Sequence, residues 1–279
     1  MSGTRTDERL LWAGAALAFA PALLALAAVW SAVDYYQHGF LVPLVSLATA
    51  RRRTRGLGPS RRRSVFLLGL VGALVLYGLG ALLDSATLIG LALVGAVTSL
   101  VGFRWGGEGL RRLAFPLGFL LFMVPLPVSW VNPLVVNLQT LASVVATVVL
   151  TGLGVDMWRE GNVIQLADGG ALFVAEACSG ITSLLSLIPI GVLLARFTQP
   201  PGWRRWALVV AVVPAALACN ALRVILTVLA ADAWGVERAT TGSLHDMAGL
   251  LTSAGAVLLV AGLGALFHRA ADRGVASHA

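Results

Sequence analysis

An all-α, polytopic membrane bundle is the fold class this sequence predicts, and three observations predict it. Of 279 residues, 58% are hydrophobic and only 12% charged, and the mean hydropathy is +0.87, whereas a soluble domain is about a quarter charged. Apolar runs long enough to cross a bilayer recur along the chain. The twenty Lys and Arg residues are all Arg, and they gather between those runs, as cytoplasmic loops require. The net charge of +7 therefore reports topology, and nucleic-acid binding is set aside on that ground. Two cysteines, Cys178 and Cys219, make no disulfide framework. The expected architecture is a single domain, residues 1–279, of about eight membrane segments with a small polar extracytoplasmic loop ahead of Cys178.

In chain order, residues 1–10 are polar and the run from Leu11 to Val33 reads as a retained first span. The interfacial turn Asp34-Tyr35-Tyr36-Gln37-His38-Gly39 leads to a shorter apolar piece, 40–50, which either spans with help or re-enters. It ends at Arg51-Arg52-Arg53-Thr54-Arg55 and Arg61-Arg62-Arg63, a cytoplasmic-loop signature whose role is orientation rather than anionic-lipid contact. Spans at 64–83 and 86–103 turn at Asp84-Ser85, and a loop with Arg104, Arg111 and Arg112 follows. The stretch Phe115 to Pro127 rises outward, with prolines that kink or end its helix. Residues 133–154 carry Asn137, Gln139, Thr140, Ser143 and Thr147, and are expected to lie at or dip into the outer surface, because a full crossing breaks the alternation of the later charges. The loop 156–177 holds strand-like pieces such as Asn162–Leu166 between glycines. Spans at 179–197, 205–231 and 244–267 complete the chain, with Arg196, Arg204 and Arg205 in one inner loop and Arg269 and Arg273 in the tail.

Chemistry centres on Glu176-Ala177-Cys178-Ser179-Gly180-Ile181, where a polar loop enters an apolar helix. Free N–H groups and the positive end of a helix dipole favour a thiolate there, although burial opposes it and a small structural thiol fits this stretch equally well. Two distant residues shift the balance. Arg223 lies about 27 Å along its helix from Arg205, inside the outer leaflet, where a charge is costly and marks function unless it snorkels to the interface. His245 stands at the outer start of the last span, at the height of Cys178; alone it reads as an interfacial or cap-neighbouring histidine. Together the three supply nucleophile, proton transfer and a fixed charge for a thiolate or oxyanion. Asn220, three residues before Arg223, either orients it or packs between helices. Glu176 either pairs with Arg223 or protonated His245, or is an exposed loop carboxylate, and Cys219 belongs to packing. No His or carboxylate pair has metal-ligand spacing, so no metal and no cofactor is expected.

These residues resemble the exosortase/archaeosortase family of multi-pass membrane cysteine transpeptidases. The likeness covers most of the chain and is most specific at Ala177-Cys178-Ser179-Gly180-Ile181, at Asn220-Ala221-Leu222-Arg223, and at His245 with Gly249. Further similar pieces are His38-Gly39-Phe40-Leu41-Val42, the Phe115-to-Pro127 stretch and Arg159-Glu160-Gly161-Asn162-Val163-Ile164. The resemblance implies Cys178, Arg223 and His245 as catalytic residues, with Glu176, Ser179 and Asn220 in support. It also implies the partners: secreted proteins ending in a short Pro-Glu-Pro-like (PEP-CTERM) signal, one transmembrane helix and an Arg cluster. Such a signal is cut at the outer face of a bacterial cytoplasmic membrane, and the acyl group passes to a surface acceptor. Thr182 departs from the basic or amide side chain of many relatives, which leaves the recognition motif open. The rival reading is a non-catalytic membrane component of exopolysaccharide export whose polar outer cluster binds ligand.

Overall fold

The computed structural model describes residues 3–60, 63–167, 169–174 and 179–276, and among them the side chains of all but 3–9, 63, 242–246 and 269–276. Seven helices among the described residues are long and apolar enough to cross a membrane: Leu10–Ala32, Ser64–Leu82, Ala86–Arg112, Val128–Gly152, Ile181–Thr198, Trp203–Trp234 and Met247–His268. The chain divides into two compact units, Met1–Val128 and Ser129–Ala279.

The first unit holds helices α1 (Gly3–Ala32), α2 (Leu41–Arg51), α3 (Arg63–Leu82), α4 (Ala86–Arg112) and α5 (Ala114–Phe119), with 3-10 turns at Asp34–Phe40 and Leu120–Met123. α3 and α4 turn at Asp84-Ser85 as expected: Asp84 adopts φ 48°, and the Ser85 hydroxyl accepts from Leu88 N at 3.4 Å to cap α4. α4 runs past the expected end at 103 to Arg112, broken at Gly106, where φ is 66°. The apolar piece 40–50 is an eleven-residue helix, about 16 Å long and too short to span alone.

Prolines explain how the first unit is tied together. Pro125 and Pro127 stop the helix that begins at Ala114, which strips the preceding carbonyls of intrahelical donors. Three side chains from the segment 30–38 satisfy them. Trp30 Nε1 donates to Met123 O at 2.9 Å, and His38 Nε2 donates to Phe122 O at 3.0 Å. The Tyr36 hydroxyl donates to Leu126 O at 3.3 Å and accepts from Leu126 N at 3.0 Å. Burial lowers the His38 pKa, in keeping with a neutral ring that donates from one nitrogen. Gly39 lies under the Trp30 ring, where any Cβ would overlap it. The His38-Gly39-Phe40 piece is thus a clamp on the proline segment.

The second unit holds helices α6 (Val128–Gly152), α7 (Ile181–Thr198), α8 (Trp203–Trp234), α9 (Val236–Thr240) and α10 (Gly242–Ala276) and a three-stranded antiparallel sheet, β1 (Met157–Glu160), β2 (Val163–Leu166) and β3 (Ala171–Phe173). Gly180 and Gly191 of the α7 segment meet Asn220 and Val212 of α8, so the two helices run antiparallel. Gly249 and Gly264 of α10 meet Arg223 and Leu208, which sets α10 antiparallel to α8 as well. At the Arg-bearing end, Gln199 Nε2 donates to Gly264 O at 2.7 Å and Arg205 Nη2 donates to Gln199 O at 2.8 Å.

α6 corrects the expectation of a surface-lying segment at 133–154. Its Leu138, Leu141, Ala142 and Val145 share a cavity with Leu217–Ala221, and its Ala146 and Leu150 join Val224, Val228 and Ala231 in one apolar cluster. The helix therefore stands beside α8 and parallel to it. Alternation of the loop charges argued against this placement, yet Gln139 and Ser143 are buried inside the unit. The strand-like pieces are confirmed as a sheet. Its inward residues Ile164, Leu166, Leu172 and Val174 complete the cluster with α6, α8 and Ala239 of α9.

Asn162, in the β1–β2 turn, links the sheet to α6. Its amide nitrogen donates to Gln139 Oε1 at 3.1 Å and its oxygen accepts from Thr140 Oγ1 at 3.0 Å. Replacing Asn162 with Ala leaves the buried Gln139 acceptor without this donor, and Asn162→Ala is expected to cost about 1–3 kcal/mol, read as a lowered midpoint of thermal unfolding in detergent. An unchanged midpoint would remove Asn162 from the account of how the sheet is held.

Candidate active site

Arg223 and Asn220 occupy one face of α8, three residues apart, and each meets a glycine of a neighbouring segment. The guanidinium of Arg223 rests on Gly249 of α10, where an added Cβ would come within 2.9 Å of Nη2 and 3.0 Å of Cζ. A side chain at 249 would push the guanidinium from this position. Thr227 Oγ1 donates to the Arg223 carbonyl at 2.9 Å one turn further along. Gly249 lies one helical turn beyond His245 on the same face of α10, so Arg223 is directed toward the helix that carries the histidine.

Asn220 is 4% exposed, and its amide lies against Gly180, where a Cβ would meet Cγ at 2.7 Å and Nδ2 at 2.9 Å. Gly180 has φ +83°, a left-handed conformation open to glycine at little cost. That conformation sets the start of α7: the helix begins at Ile181, with Gly180 as its cap. Ser179 is 1% exposed, and its hydroxyl accepts from Ile181 N at 3.2 Å, satisfying one of the free donors of the first turn. The helix therefore starts two residues after the expected 179.

Two cavities flank this face of α8. One, about 170 Å³, lies between α6 and α8 and is lined by Ser179, Asn220 and apolar residues including Leu141 and Leu217. The other, about 320 Å³, is lined by α8, α9 and α10, including Thr227, Trp234, Arg238 and Ala248. Both are apolar with few polar groups, the usual make-up of a ligand site.

Of the sequence candidates, Ser179, Asn220 and Arg223 are described, and they lie along one stretch of α8 and its neighbours. His245 has its backbone in the first turn of α10, while its side chain, like Cys178 and Glu176 altogether, lies outside the described residues. Sequence reasoning passed over Gly180 and Gly249 as packing partners of Asn220 and Arg223, and Gln139 and Asn162 as a linked pair. The glycines carried a legible signal, since each sits at a short fixed spacing from a candidate residue. The Gln139–Asn162 contact joins residues 23 apart, and no local spacing announces it.

A family model described as transmembrane exosortase matches residues 30–262. The chain belongs to the transmembrane exosortase family. No curated protein and no solved structure matches it significantly. As an exosortase-family member with seven long apolar helices, it is a multi-pass membrane protein, and membership carries a transpeptidase type of function in general terms. The matched region takes in the Ser179–Gly180 turn, Asn220, Arg223 and Gly249. Among the described residues, no group of three or more His, Cys, Asp or Glu side chains is placed to hold a metal.

The two glycine contacts separate packing from function. In this exosortase-family chain, Gly180→Ala meets both a left-handed backbone and the buried amide of Asn220, and should cost about 1 kcal/mol or more in detergent unfolding. Gly249→Ala meets only the end of a flexible side chain, so stability should hold while the guanidinium shifts, and turnover should fall by roughly a hundredfold for a displacement of about 1 Å. Normal turnover in Gly249→Ala would detach the Arg223 position from activity.

Proposed function

We propose that the protein is a membrane-embedded cysteine peptidase and transpeptidase that cleaves C-terminal sorting signals of secreted proteins. What carries the reading is one helix face: Arg223 lies against Gly249, one turn from His245, while Asn220, three residues earlier, lies against Gly180, two residues from Cys178. That pattern is what a thiol, a guanidinium and an imidazole need if they are to converge. Cys178 attacks the scissile carbonyl as thiolate, forming a C–S bond. Arg223 stabilises the tetrahedral oxyanion. The intermediate collapses with cleavage of the C–N bond, and His245 gives its proton to the departing amine. The thioester is then resolved by a nucleophile of a surface acceptor, whose proton returns to His245. Glu176 completes the site as a partner for Arg223 or protonated His245, and Ser179 and Asn220 hold the turn that carries the nucleophile.

Topology gives the reaction its side. Arg196, Arg204 and Arg205 mark one end of α7 and α8 as cytoplasmic, which puts the start of α7, three residues after Cys178, on the outer side of the bacterial cytoplasmic membrane. The substrate is a secreted protein whose tail carries the signal, an apolar helix and an Arg cluster, so the site must admit a helix from the lipid side.

The nucleophile is tested first: Cys178→Ala and Cys178→Ser should remain in the membrane and leave a tagged substrate uncut on immunoblots, while Cys219→Ala cuts normally. Processing by the Cys178 variants would sink the covalent mechanism. Arg223 separates charge from geometry, because a planar fork can hold both a thiolate and a carbonyl oxygen whereas Lys offers a point charge. Arg223→Lys should lose most of the activity, at least about tenfold of it, as expected where an oxyanion donor is displaced. If Arg223→Lys turns over normally while Arg223→Ala is dead, charge alone suffices and the bidentate picture fails.

A further inference from the structure

We propose that the free edge of β3 holds the peptide substrate, whose extended main chain adds to the sheet as a fourth strand beside Ala171–Phe173. The inference rests on the peptidase reading above and says how that substrate is gripped.

Hydrogen-bond register makes the edge available. Val174 N donates to Asn162 O at 2.9 Å and Leu166 N donates to Gly170 O at 2.7 Å, with Ile164 opposite Leu172 between them. Residues 170, 172 and 174 therefore turn their main-chain groups toward β2, and antiparallel alternation turns the N–H and C=O of Ala171 and Phe173 the other way. The sheet order is β1-β2-β3, so no described strand pairs with that side. Two donors and two acceptors stand in a row there, a ready template for another chain.

The same strand is fixed from behind. Leu172 and Val174 are buried in the cluster shared with α6 and α8, whereas Ala171 and Phe173 are exposed. Asn162, tied to Gln139 and Thr140, keeps the sheet from swinging away from the bundle. A substrate strand would thus meet a rigid edge, with little ordering cost on the enzyme side.

β1 offers a second open edge, since Ala167 N donates to Asp156 O at 3.3 Å and this register turns Met157 and Arg159 outward. Proximity in the chain favours the β3 edge. Phe173 is five residues before Cys178, a stretch of at most about 17 Å, and a strand added to β3 runs about 4.8 Å from it. The β1 edge is two strands further from that chain, about 10 Å. A strand on the β3 edge, by contrast, lies beside the residues that come just before Cys178 in the chain. Such a grip reads main chain rather than side chains.

The test uses the Cys178→Ala protein, which captures but does not cut, and a synthetic copy of a secreted protein's tail as probe. Esters replace successive amides around the cleavage point, and capture is measured by photocrosslinking in detergent. Pairing with β3 predicts weakening at every second residue, roughly three- to tenfold for each lost main-chain hydrogen bond. Ala171→Pro and Phe173→Pro remove the two outward donors without touching the β2 ladder, and should weaken capture by a similar factor, while Arg159→Pro on the β1 edge should not. A flat ester profile would overturn the proposal, as would loss confined to Arg159→Pro. Cleavage that survives in Cys178→Ala is a different failure, because it removes the peptidase reading itself.

Discussion

The guanidinium of Arg223 sits on the bare backbone of Gly249, and much of the second unit is arranged around keeping it there. A charge that cannot be neutralised must be accommodated inside helices whose remaining faces are apolar. The bundle meets this need by placing a glycine of α10 where the guanidinium lies. Glycine repeats the device elsewhere: Gly180 and Gly191 let α7 approach Asn220 and Val212 in the same way. Helices in lipid gain little from burying apolar side chains against each other, so close backbone approach and a few polar contacts carry much of the packing.

That constraint orders the site. Asn220 and Arg223 share a face because they are three residues apart on α8, and each finds a glycine on a different neighbour. The left-handed Gly180 and the Ser179 hydroxyl stop the chain from continuing as helix back toward residue 178, and so define a turn rather than a longer span. The sheet closes the same end of the unit. Its four inward apolar residues pack on α6, α8 and α9, and its one inward amide, Asn162, finds its partners on α6.

The first unit solves a related problem with different chemistry. Pro125 and Pro127 interrupt a helix, and the freed carbonyls take hydrogen bonds from Trp30, Tyr36 and His38. The His38-Gly39-Phe40 piece and the Phe115-to-Pro127 stretch look like separate motifs in the sequence, but they are two halves of one contact.

By itself the sequence determined the class and singled out the candidate residues. Long apolar runs leave only helices as a way to pair every main-chain group in lipid, and Arg clusters between them set an order of crossings. A thiol after a polar loop, an Arg inside a span and a His at a helix start are legible because each is out of place by type. What only the tertiary structure decided is which polar residues face which neighbours. Charge alternation argued against a crossing at 133–154, but the charges of distant loops carry no sign that Gln139 and Ser143 are buried or that Gln139 pairs with Asn162. α6 consequently stands beside α8 instead of lying on the surface. The open edge of β3 is likewise invisible in three residues of sequence, since register depends on hydrogen bonds to a partner strand and not on the strand's own side chains.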